Sequence, residues 1–283
     1  MGRINQEIVE YSFSPKLSTL YNLNVLLGAD SVYYTVSDAE NRILVLKSFH
    51  ADTKKNVNLT GLLKDVFFED PILNSVYRSV KVGFSSQHQT LVPRKFYLEA
   101  EKPLYLKNLT EEDSRNLVEA DTIDALDMVN VYAAEKNLIG LIQAIFPKSK
   151  YFHNTTSLLQ GYERTAKNTD APQVFANIRD NCVQIFFFTQ HKPVFTNVFP
   201  FKTSQDIVYY ILLVYEQFKL NPEETPLVLS GSITQDSDIF KYIYRYIRHV
   251  NFVTIPAALH LGQQFTGVPH HFYFDLFSLK DCE

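Results

Sequence analysis

The chain has 283 residues, of which 46% are hydrophobic and 14% aromatic, and its formal net charge is −4. This apolar fraction supports a substantial core and excludes wholesale disorder, while the negative charge argues against a dedicated nucleic-acid-binding protein. Cys182 and Cys282 are the only cysteines, which excludes both a disulfide-stapled domain and a four-cysteine metal site.

The apolar runs are too short for membrane insertion. The longest, Ile207 to Tyr215, is far below the roughly 20 residues that a membrane helix needs. The N-terminal residues show no basic region followed by an apolar segment, as an export signal would. We therefore expect no membrane insertion, and the low cysteine content favours a cytoplasmic protein.

A pattern of three apolar runs, an amphipathic helix and a fourth apolar run occurs twice along the chain. The first copy comprises Leu23 to Leu27, Val32 to Val36, Ile43 to Leu46, a helix near Leu59 to Phe68, and Val80 to Phe84. The short gaps between the first three runs predict antiparallel hairpins, and the helix is then expected to cover the sheet.

The region between the two copies begins with an acidic segment. Glu99 to Asp127 contains nine acidic residues against three basic ones, which predicts a solvated connection with a short helix rather than a metal site. The elements predicted next are a strand at Met128 to Ala134, a helix at Glu135 to Phe146, an extended piece at Tyr151 to His153, and a helix from Thr155 to Thr165.

The second copy repeats the pattern. It comprises Val174 to Ile178, Cys182 to Phe188, Val194 to Phe199, a helix at Ser204 to Phe218, and Leu227 to Leu229. Thr203 and Asp206 have capping-box spacing at the start of this helix, and Asn221-Pro222 ends it. Apolar residues cover two of its faces, so we expect burial on more than one side. Aligned on their first tight turns, the copies place Asp30 opposite Asp180.

A further helix is predicted near the C-terminal end, with a basic face. Lys241, Arg245 and Arg248 follow i, i+4, i+7 spacing, and Ile239, Ile243 and Ile247 lie on the other face. The basic residues form either an ordinary solvated face or a stripe that contacts phosphate groups or an acidic partner. Both interpretations remain open.

Motifs of common enzymes are absent from the sequence. None of the nine glycines forms a Walker-type phosphate loop, and neither a Gly-x-Ser-x-Gly elbow nor a His-Glu-x-x-His helix occurs. His260, His270 and His271 form the nearest metal-like cluster, but adjacent histidines seldom ligate one ion together. We therefore predict no metal site and name no catalytic residue.

The order of elements resembles the actin-like ATPase superfamily, and within it bacterial assembly proteins of the pilus and cell-division type. Three shorter matches, Asn197 to Phe201, Asp206 with Tyr209-Tyr210, and Leu229 to Gly231, resemble an uncharacterised bacterial family without an assigned function. The resemblance implies an α/β protein with mixed α+β sheets and a duplicated, two-lobed actin-like (ribonuclease H-like) fold with a cleft between the lobes. The expected domains are residues 1–127 and 128–283.

The superfamily binds ATP with magnesium in that cleft, through an Asp-x-Gly hairpin in each lobe and a glycine-containing adenosine turn. The counterparts here are Asp30-Ser31-Val32, Asp180-Asn181-Cys182 and Ser230-Gly231-Ser232. The resemblance therefore makes Asp30, Asp180, Ser230 and Gly231 the candidate cofactor-binding residues. Val32 and Cys182 replace both hairpin glycines, so we predict a degenerate cleft that does not hydrolyse ATP. Both aspartates are also ordinary turn residues.

Three hypotheses about function follow. The first is a non-catalytic interaction or assembly scaffold with no cofactor and an unidentified protein partner. The alternative is a divergent ATPase or kinase-like enzyme that binds ATP and magnesium through Asp30 and Asp180. A third is an RNA-contacting accessory factor that uses the basic stripe, although nucleic acid is not the expected partner. The sequence leaves homo-oligomerisation open.

Overall fold

The computed structural model describes residues 2–51, 58–86, 88–109, 113–256 and 258–283. Its contacts divide the chain into two compact units. Unit 1 comprises Met1–Leu158, Pro256–Val268 and Leu276–Glu283, and unit 2 comprises Leu159–Ile255 and Pro269–Asp275. The predicted boundary between residues 127 and 128 falls inside unit 1, so the predicted domains and these units are different divisions of the chain.

The described residues form fifteen strands and six α-helices. The strands are β1 (Gly2–Val9), β2 (Asn22–Leu27), β3 (Ser31–Ser37), β4 (Arg42–Ala51), β5 (Ser79–Phe84), β6 (Gln89–Pro93), β7 (Asn116–Ile123), β8 (Met128–Glu135), β9 (Lys150–His153), β10 (Gln173–Arg179), β11 (Cys182–Thr189), β12 (Lys192–Pro200), β13 (Leu227–Gly231), β14 (Val250–Phe252) and β15 (His260–Leu261). The helices are α1 (Leu59–Glu69), α2 (Lys136–Ile145), α3 (Asn154–Ala166), α4 (Ser204–Gln217), α5 (Asp238–Ile243) and α6 (Phe274–Ser278).

The main sheet of unit 1 has the order β1-β4-β3-β2-β5-β9, and β15 also pairs with β4. Neighbouring strands from β1 to β2 are antiparallel, whereas β5 and β9 continue parallel to β2. Apolar side chains of α1 and α2 join the strands in one core, including Leu62, Val66, Ile139 and Ile142. The predicted hairpins, α1 and α2 are therefore confirmed.

A smaller antiparallel sheet in unit 1, with the order β6-β8-β7, corrects one prediction. The acidic segment predicted as a solvated connection contains β7, which pairs with β8 from Asn116 opposite Glu135 to Ile123 opposite Met128. Its Asp121 is buried. Alternation along β7 is weak because most of its side chains are only half-buried, so the charge pattern masked the strand. Residues 110–112 of the predicted connection lie outside the described residues.

The sheet of unit 2 has the order β12-β11-β10-β13-β14. β11 is antiparallel to both β12 and β10, whereas β13 is parallel to β10 and β14 is parallel to β13. The order and strand directions match those of β4-β3-β2-β5-β9. The strands predicted in both copies of the pattern are therefore present.

The α4 helix begins at the predicted capping box, but its burial differs from the prediction. The Asp206 amide donates to Thr203 Oγ1 at 3.3 Å, and the Thr203 amide donates to Asp206 Oδ2 at 2.9 Å. One face packs into the core of unit 2, through Ile207, Val208, Ile211, Val214 and Tyr215. The other face is open to solvent, and 62% of Tyr209 is exposed. The expectation of burial on more than one side is therefore wrong for Tyr209 and Leu213, because the sheet contacts only one face.

The predicted basic helix is also shorter than expected. α5 ends at Ile243, and the Arg248 amide donates to the Pro222 carbonyl at 3.0 Å, so the chain has left the helix before Arg248. Lys241, Arg245 and Arg248 therefore do not share one helix face. Ile243 and Ile247 are buried, as the pattern predicted.

Candidate functional site

The first candidate residue, Asp30, lies at the tip of the β2–β3 hairpin in unit 1. The Gly28 amide donates to the Ser31 carbonyl at 2.9 Å, which leaves Ala29 and Asp30 as the two tip residues. The Asp30 side chain is exposed, and its carbonyl accepts from the Ala51 amide at 2.8 Å. The backbone at Asp30 therefore ties the turn to the end of β4.

The second candidate, Asp180, lies in the β10–β11 turn of unit 2. Arg179 pairs with Cys182, so Asp180 and Asn181 are the only two loop residues. Both have left-handed backbone conformations, with φ of 52° and 59°. These are the angles of a type I′ hairpin turn, in which Asn and Asp are favoured because they tolerate positive φ. The Asn181 carbonyl accepts from the Phe201 amide at 2.9 Å.

The two aspartates occupy different positions in these equivalent turns. Asp30 is the second tip residue of its hairpin, and Asp180 is the first residue of its own. In unit 1 the tip carbonyl that accepts from Ala51, the last residue of β4, belongs to Asp30. In unit 2 the tip carbonyl that accepts from Phe201, just after β12, belongs to Asn181. The alignment of Asp30 with Asp180 is therefore displaced by one residue. Leu27 pairs with Val32 and Ile178 with Val183, so Ala29 is the counterpart of Asp180 and Asp30 that of Asn181.

Val32 and Cys182 each lie two residues after the candidate aspartate of their hairpin. Val32 is fully buried and belongs to the hydrophobic core of unit 1. Cys182 is half-buried, and this burial, followed by the nearby Asp180 charge, raises the pKa of its thiol. A raised pKa keeps the thiol protonated and poorly nucleophilic.

Ser230 and Gly231 lie at the C-terminal end of β13. The Ser230 Oγ lies 2.6 Å from the Tyr162 Oη and accepts from the Asn177 Nδ2 at 2.9 Å, and all three residues are buried. Gly231 has φ of +85°, and a Cβ there would lie 2.2 Å from the Ile178 carbonyl oxygen. Only glycine fits this position without moving the backbone.

Three of the four candidates share one sheet edge. β10 and β13 are parallel, with Ile178 opposite Gly231, so Asp180 and Gly231 both follow the carboxyl ends of neighbouring strands. Asp30 belongs to unit 1, whereas Asp180, Ser230 and Gly231 belong to unit 2.

A buried ion pair beside Asp180 was missed by sequence reasoning. The Arg179 Nε and Nη2 donate to the two carboxylate oxygens of Asp275 at 2.7 and 3.0 Å, and Nη2 also donates to the Phe272 carbonyl. Asp275 is fully buried. The Arg179 cation, next to Asp180, is therefore bound to Asp275 in a bidentate ion pair. No local sequence pattern indicates a partner so distant in sequence.

A second missed cluster surrounds Asp121 in unit 1. Its carboxylate accepts from the Tyr132 hydroxyl at 2.9 Å, the His153 amide at 2.8 Å and the Thr156 hydroxyl at 2.7 Å. Burial raises the pKa of Asp121 to about 6, although these hydrogen bonds act in the opposite direction. Burial lowers the pKa of His153 to about 4. At neutral pH Asp121 is therefore mostly ionised and His153 is neutral, and both shifts act at acidic pH.

The His153 ring lies between two backbone segments. Its Nδ1 is 3.1 Å from the Thr155 amide nitrogen. Its Nε2 is 2.9 Å from the Ser86 amide nitrogen and 3.2 Å from the Ser86 carbonyl oxygen. Backbone contacts on both ring nitrogens therefore fix the orientation of the ring.

Within the described parts of the chain, no group of three or more His, Cys, Asp or Glu side chains is placed to hold a metal ion. Across the same residues, no helix combines the length and apolar character needed to cross a membrane.

Comparison with known proteins decides the family. The model of a family described as a protein of unknown function (DUF3822) matches residues 10–250. The chain belongs to the DUF3822 family. No curated protein resembles this DUF3822 sequence closely enough to count as a match.

Solved structures show the fold of the DUF3822 chain. A Bacteroides thetaiotaomicron protein with an actin-like ATPase fold and unknown function superposes with a TM-score of 0.81 at 19% identity, covering 96% of this chain and 99% of that one. The PilM–PilN type IV pilus biogenesis complex gives a TM-score of 0.66 at 11% identity, covering 92% of this chain and 98% of the matched chain. The predicted α/β class with mixed sheets and the actin-like resemblance are confirmed.

Proposed function

We propose that this DUF3822 protein is a non-catalytic member of the actin-like fold that serves as a protein-interaction or assembly scaffold in the cytoplasm and works without a resident nucleotide. The observation that carries the proposal is the β10–β11 turn. There, Asp180 and Asn181 hold the two left-handed positions that close the hairpin, and the adjacent Arg179 is paired with buried Asp275. The turn thus has a complete structural explanation.

The residues of both hairpins fit phosphate binding poorly. Phosphate hairpins need backbone amides that a ligand can approach without a Cβ in the way. Val32 and Cys182, each two residues after its aspartate, carry side chains, and Val32 is part of the core. The aspartates also differ in register by one residue, whereas a symmetric pair of Asp-x-Gly hairpins would require the same register.

The nucleoside turn has a structural role as well. The Ser230 hydroxyl is engaged by Tyr162 and Asn177, and Gly231 is required by the close approach of the Ile178 carbonyl. The glycine that survives in this chain is therefore the one that the fold itself needs. This supports a degenerate nucleotide site in a stable actin-like body.

The structural neighbour of the pilus system supports a role in protein interaction. That protein is described in a complex of PilM with PilN, so this fold serves elsewhere as a partner of another protein. By analogy, the DUF3822 chain would bind a protein partner, and homo-oligomerisation belongs to the same proposal.

One observation favours the alternative, a divergent ATPase or kinase-like enzyme that uses Asp30 and Asp180 with ATP and magnesium. The Asp30 side chain is exposed at the hairpin tip and is therefore accessible to a ligand. Steady-state phosphate release with Mg-ATP tests both functions. The scaffold predicts background rates for the wild type and for the Asp30→Asn/Asp180→Asn double variant. Turnover by the wild type that this double variant loses would establish the enzyme and reject the scaffold.

A further inference from the structure

Basic and tyrosine side chains are displayed together on unit 2, at the end of α5 and in the turns that follow. Five of these side chains are exposed, and we call them the tyrosine–arginine surface: Lys241, Tyr244, Arg245, Tyr246 and Arg248. The exposed fraction is 58% for Tyr244 and 52% for Tyr246. No acidic residue occurs between Ile239 and Val250. Asp238, just before this segment, lies 3.9 Å from the Lys241 Nζ, so among the described residues of the segment the uncompensated positive charge is that of Arg245 and Arg248.

The surface rests on a rigid support. Phe240, Ile243 and Ile247 from the same segment are buried in the core of unit 2. The Ser237 side chain caps α5 by accepting from the Phe240 amide at 3.2 Å, and the Arg248 amide is bound to the Pro222 carbonyl. Because the backbone is already ordered, binding here would lose little conformational entropy.

An apolar strip lies on α4, the helix that contacts this segment. The Gln205 Nε2 lies 3.3 Å from the Tyr242 Oη, which links α4 to this segment. Tyr209 lies one turn after Gln205 on the open face of α4, and Leu213 follows one turn later. Both are exposed, so a partner that reaches across from the cations would meet an aromatic and an aliphatic side chain.

The contacts of the tyrosine rings indicate the class of partner. The Arg245 guanidinium lies over the Tyr242 ring at 4.9 Å, and Tyr244 stacks on Phe240 with centroids 6.0 Å apart. Stacking on nucleobases needs free ring faces, and one face of Tyr242 and one face of Tyr244 are already occupied. Arginine and tyrosine are the residues most enriched in the energetically important parts of protein interfaces, and guanidinium groups bind carboxylates in a bidentate manner.

We infer that the tyrosine–arginine surface docks an acidic segment of a partner protein. Arg245 and Arg248 pair with carboxylates of that segment, and Tyr209 and Leu213 contact its apolar side chains. The inference rests on the proposed scaffold function and identifies the docking face and the chemistry of the partner.

A displayed library of random peptides provides the probe. The library is selected in parallel on three nucleotide-free proteins: the wild type, Arg245→Glu/Arg248→Glu and Lys192→Glu/Lys202→Glu. The lysine variant is the control, because it changes the charge of unit 2 by the same amount at two exposed sites elsewhere. Peptides enriched on the wild type are then synthesised, and their dissociation constants are measured. Arg245→Gln/Arg248→Gln replaces the reversal variant if circular dichroism shows that the reversal variant is unfolded.

The wild type is expected to select peptides rich in Asp and Glu with interspersed apolar residues. Their affinity should fall about tenfold or more with the Arg245 and Arg248 changes, and less than about twofold with the Lys192 and Lys202 changes. Tyr246→Ala, which changes no charge, should weaken binding about fivefold, because the ring is part of the contact.

Three results would overturn the inference. Selected peptides without an acidic excess would contradict the partner chemistry, and equal affinities for the Arg245 and Lys192 variants would contradict the location. Displacement of the acidic peptides by an equimolar oligouridylate would identify a nucleic-acid surface instead. ATP turnover would reject the scaffold without changing these peptide affinities, so the two proposals fail separately.

Discussion

The backbone amide of His153 donates a 2.8 Å hydrogen bond to Oδ2 of Asp121, so two buried titratable residues of unit 1 are joined directly. Burial displaces their pKa values in opposite senses, raising that of Asp121 to about 6 and lowering that of His153 to about 4. Burial disfavours the charged form of each group.

This pair predicts two pH dependences that cancel in the wild type. Asp121 binds its proton more tightly in the folded chain, so its contribution to the free energy of unfolding falls by about 3 kcal/mol as pH rises from about 4 to 6. His153 binds its proton more tightly in the unfolded chain, so its contribution rises by about 3 kcal/mol between about pH 4 and 6.5. Urea unfolding across this range should show little net slope from the pair.

Single variants should separate the two contributions. Asp121→Asn keeps only the His153 titration, so the free energy of unfolding of this variant should rise with pH. His153→Gln keeps only the Asp121 titration, so its free energy of unfolding should fall with pH. Comparing slopes removes the constant loss caused by the altered hydrogen bonds. Parallel slopes for the two variants would contradict the opposed titrations.

Gly231→Ala should destabilise unit 2 by at least about 2 kcal/mol, because it adds a Cβ at φ +85° within 2.2 Å of the Ile178 carbonyl oxygen. Gly140→Ala is the matched control. Gly140 lies inside α2 with no atom within 4 Å of the added Cβ, so this change should stabilise by about 0.5–1 kcal/mol. Equal effects in chemical denaturation would show that the approach to Ile178 does not constrain Gly231.

Ser230→Ala should lower the free energy of unfolding by about 1–3 kcal/mol, because it leaves the buried Tyr162 hydroxyl and Asn177 amide without their shared partner. Tyr162→Phe removes the tyrosine hydroxyl from the Ser230–Tyr162 hydrogen bond. A double-mutant cycle should give a favourable coupling energy of about 1 kcal/mol between Ser230 and Tyr162. A coupling near zero would indicate that the serine hydroxyl is not committed to this network.

The β10–β11 turn predicts a strong dependence on residue type. Asp180→Val should cost about 1–2 kcal/mol, because a β-branched side chain is strained at φ 52°. Asn181→Gly should be neutral or stabilising, because Asp-Gly suits a type I′ turn. Asp30→Val is the control at a tip residue outside the left-handed region, and should cost less than about 0.5 kcal/mol. Thermal melts that show equal losses for Asp30→Val and Asp180→Val would contradict the assigned turn geometry.

The sequence predicted regular elements better than it predicted contacts. Buried strands such as β2 and β10 are short apolar runs bounded by turn residues, and the α4 capping box is a local signal, so both were found. β7 was missed because its charges resemble a solvated connection. α5 was overextended because the isoleucine spacing continues through Ile247 after the helix has ended.

Site geometry depends on information that local patterns do not carry. Arg179 meets Asp275 across 96 positions of sequence, and His153 meets Asp121 across 32. The alignment of Asp30 with Asp180 was displaced by one residue, because the tip carbonyls that accept from the Ala51 and Phe201 amides belong to Asp30 and Asn181. The candidate residues do lie in hairpin turns and at a strand end, as the pattern predicted, and their role in nucleotide binding stays a prediction.

The most direct test of the proposed function is thermal unfolding of the wild type and of Asp30→Asn/Asp180→Asn with and without Mg-ATP. A ligand at about 100 times its dissociation constant would stabilise the native state by about 2.7 kcal/mol, a readily visible rise in Tm. A scaffold whose turn residues serve the fold predicts the same Tm with and without Mg-ATP. A magnesium-dependent rise in the wild type that the double variant lacks would contradict it.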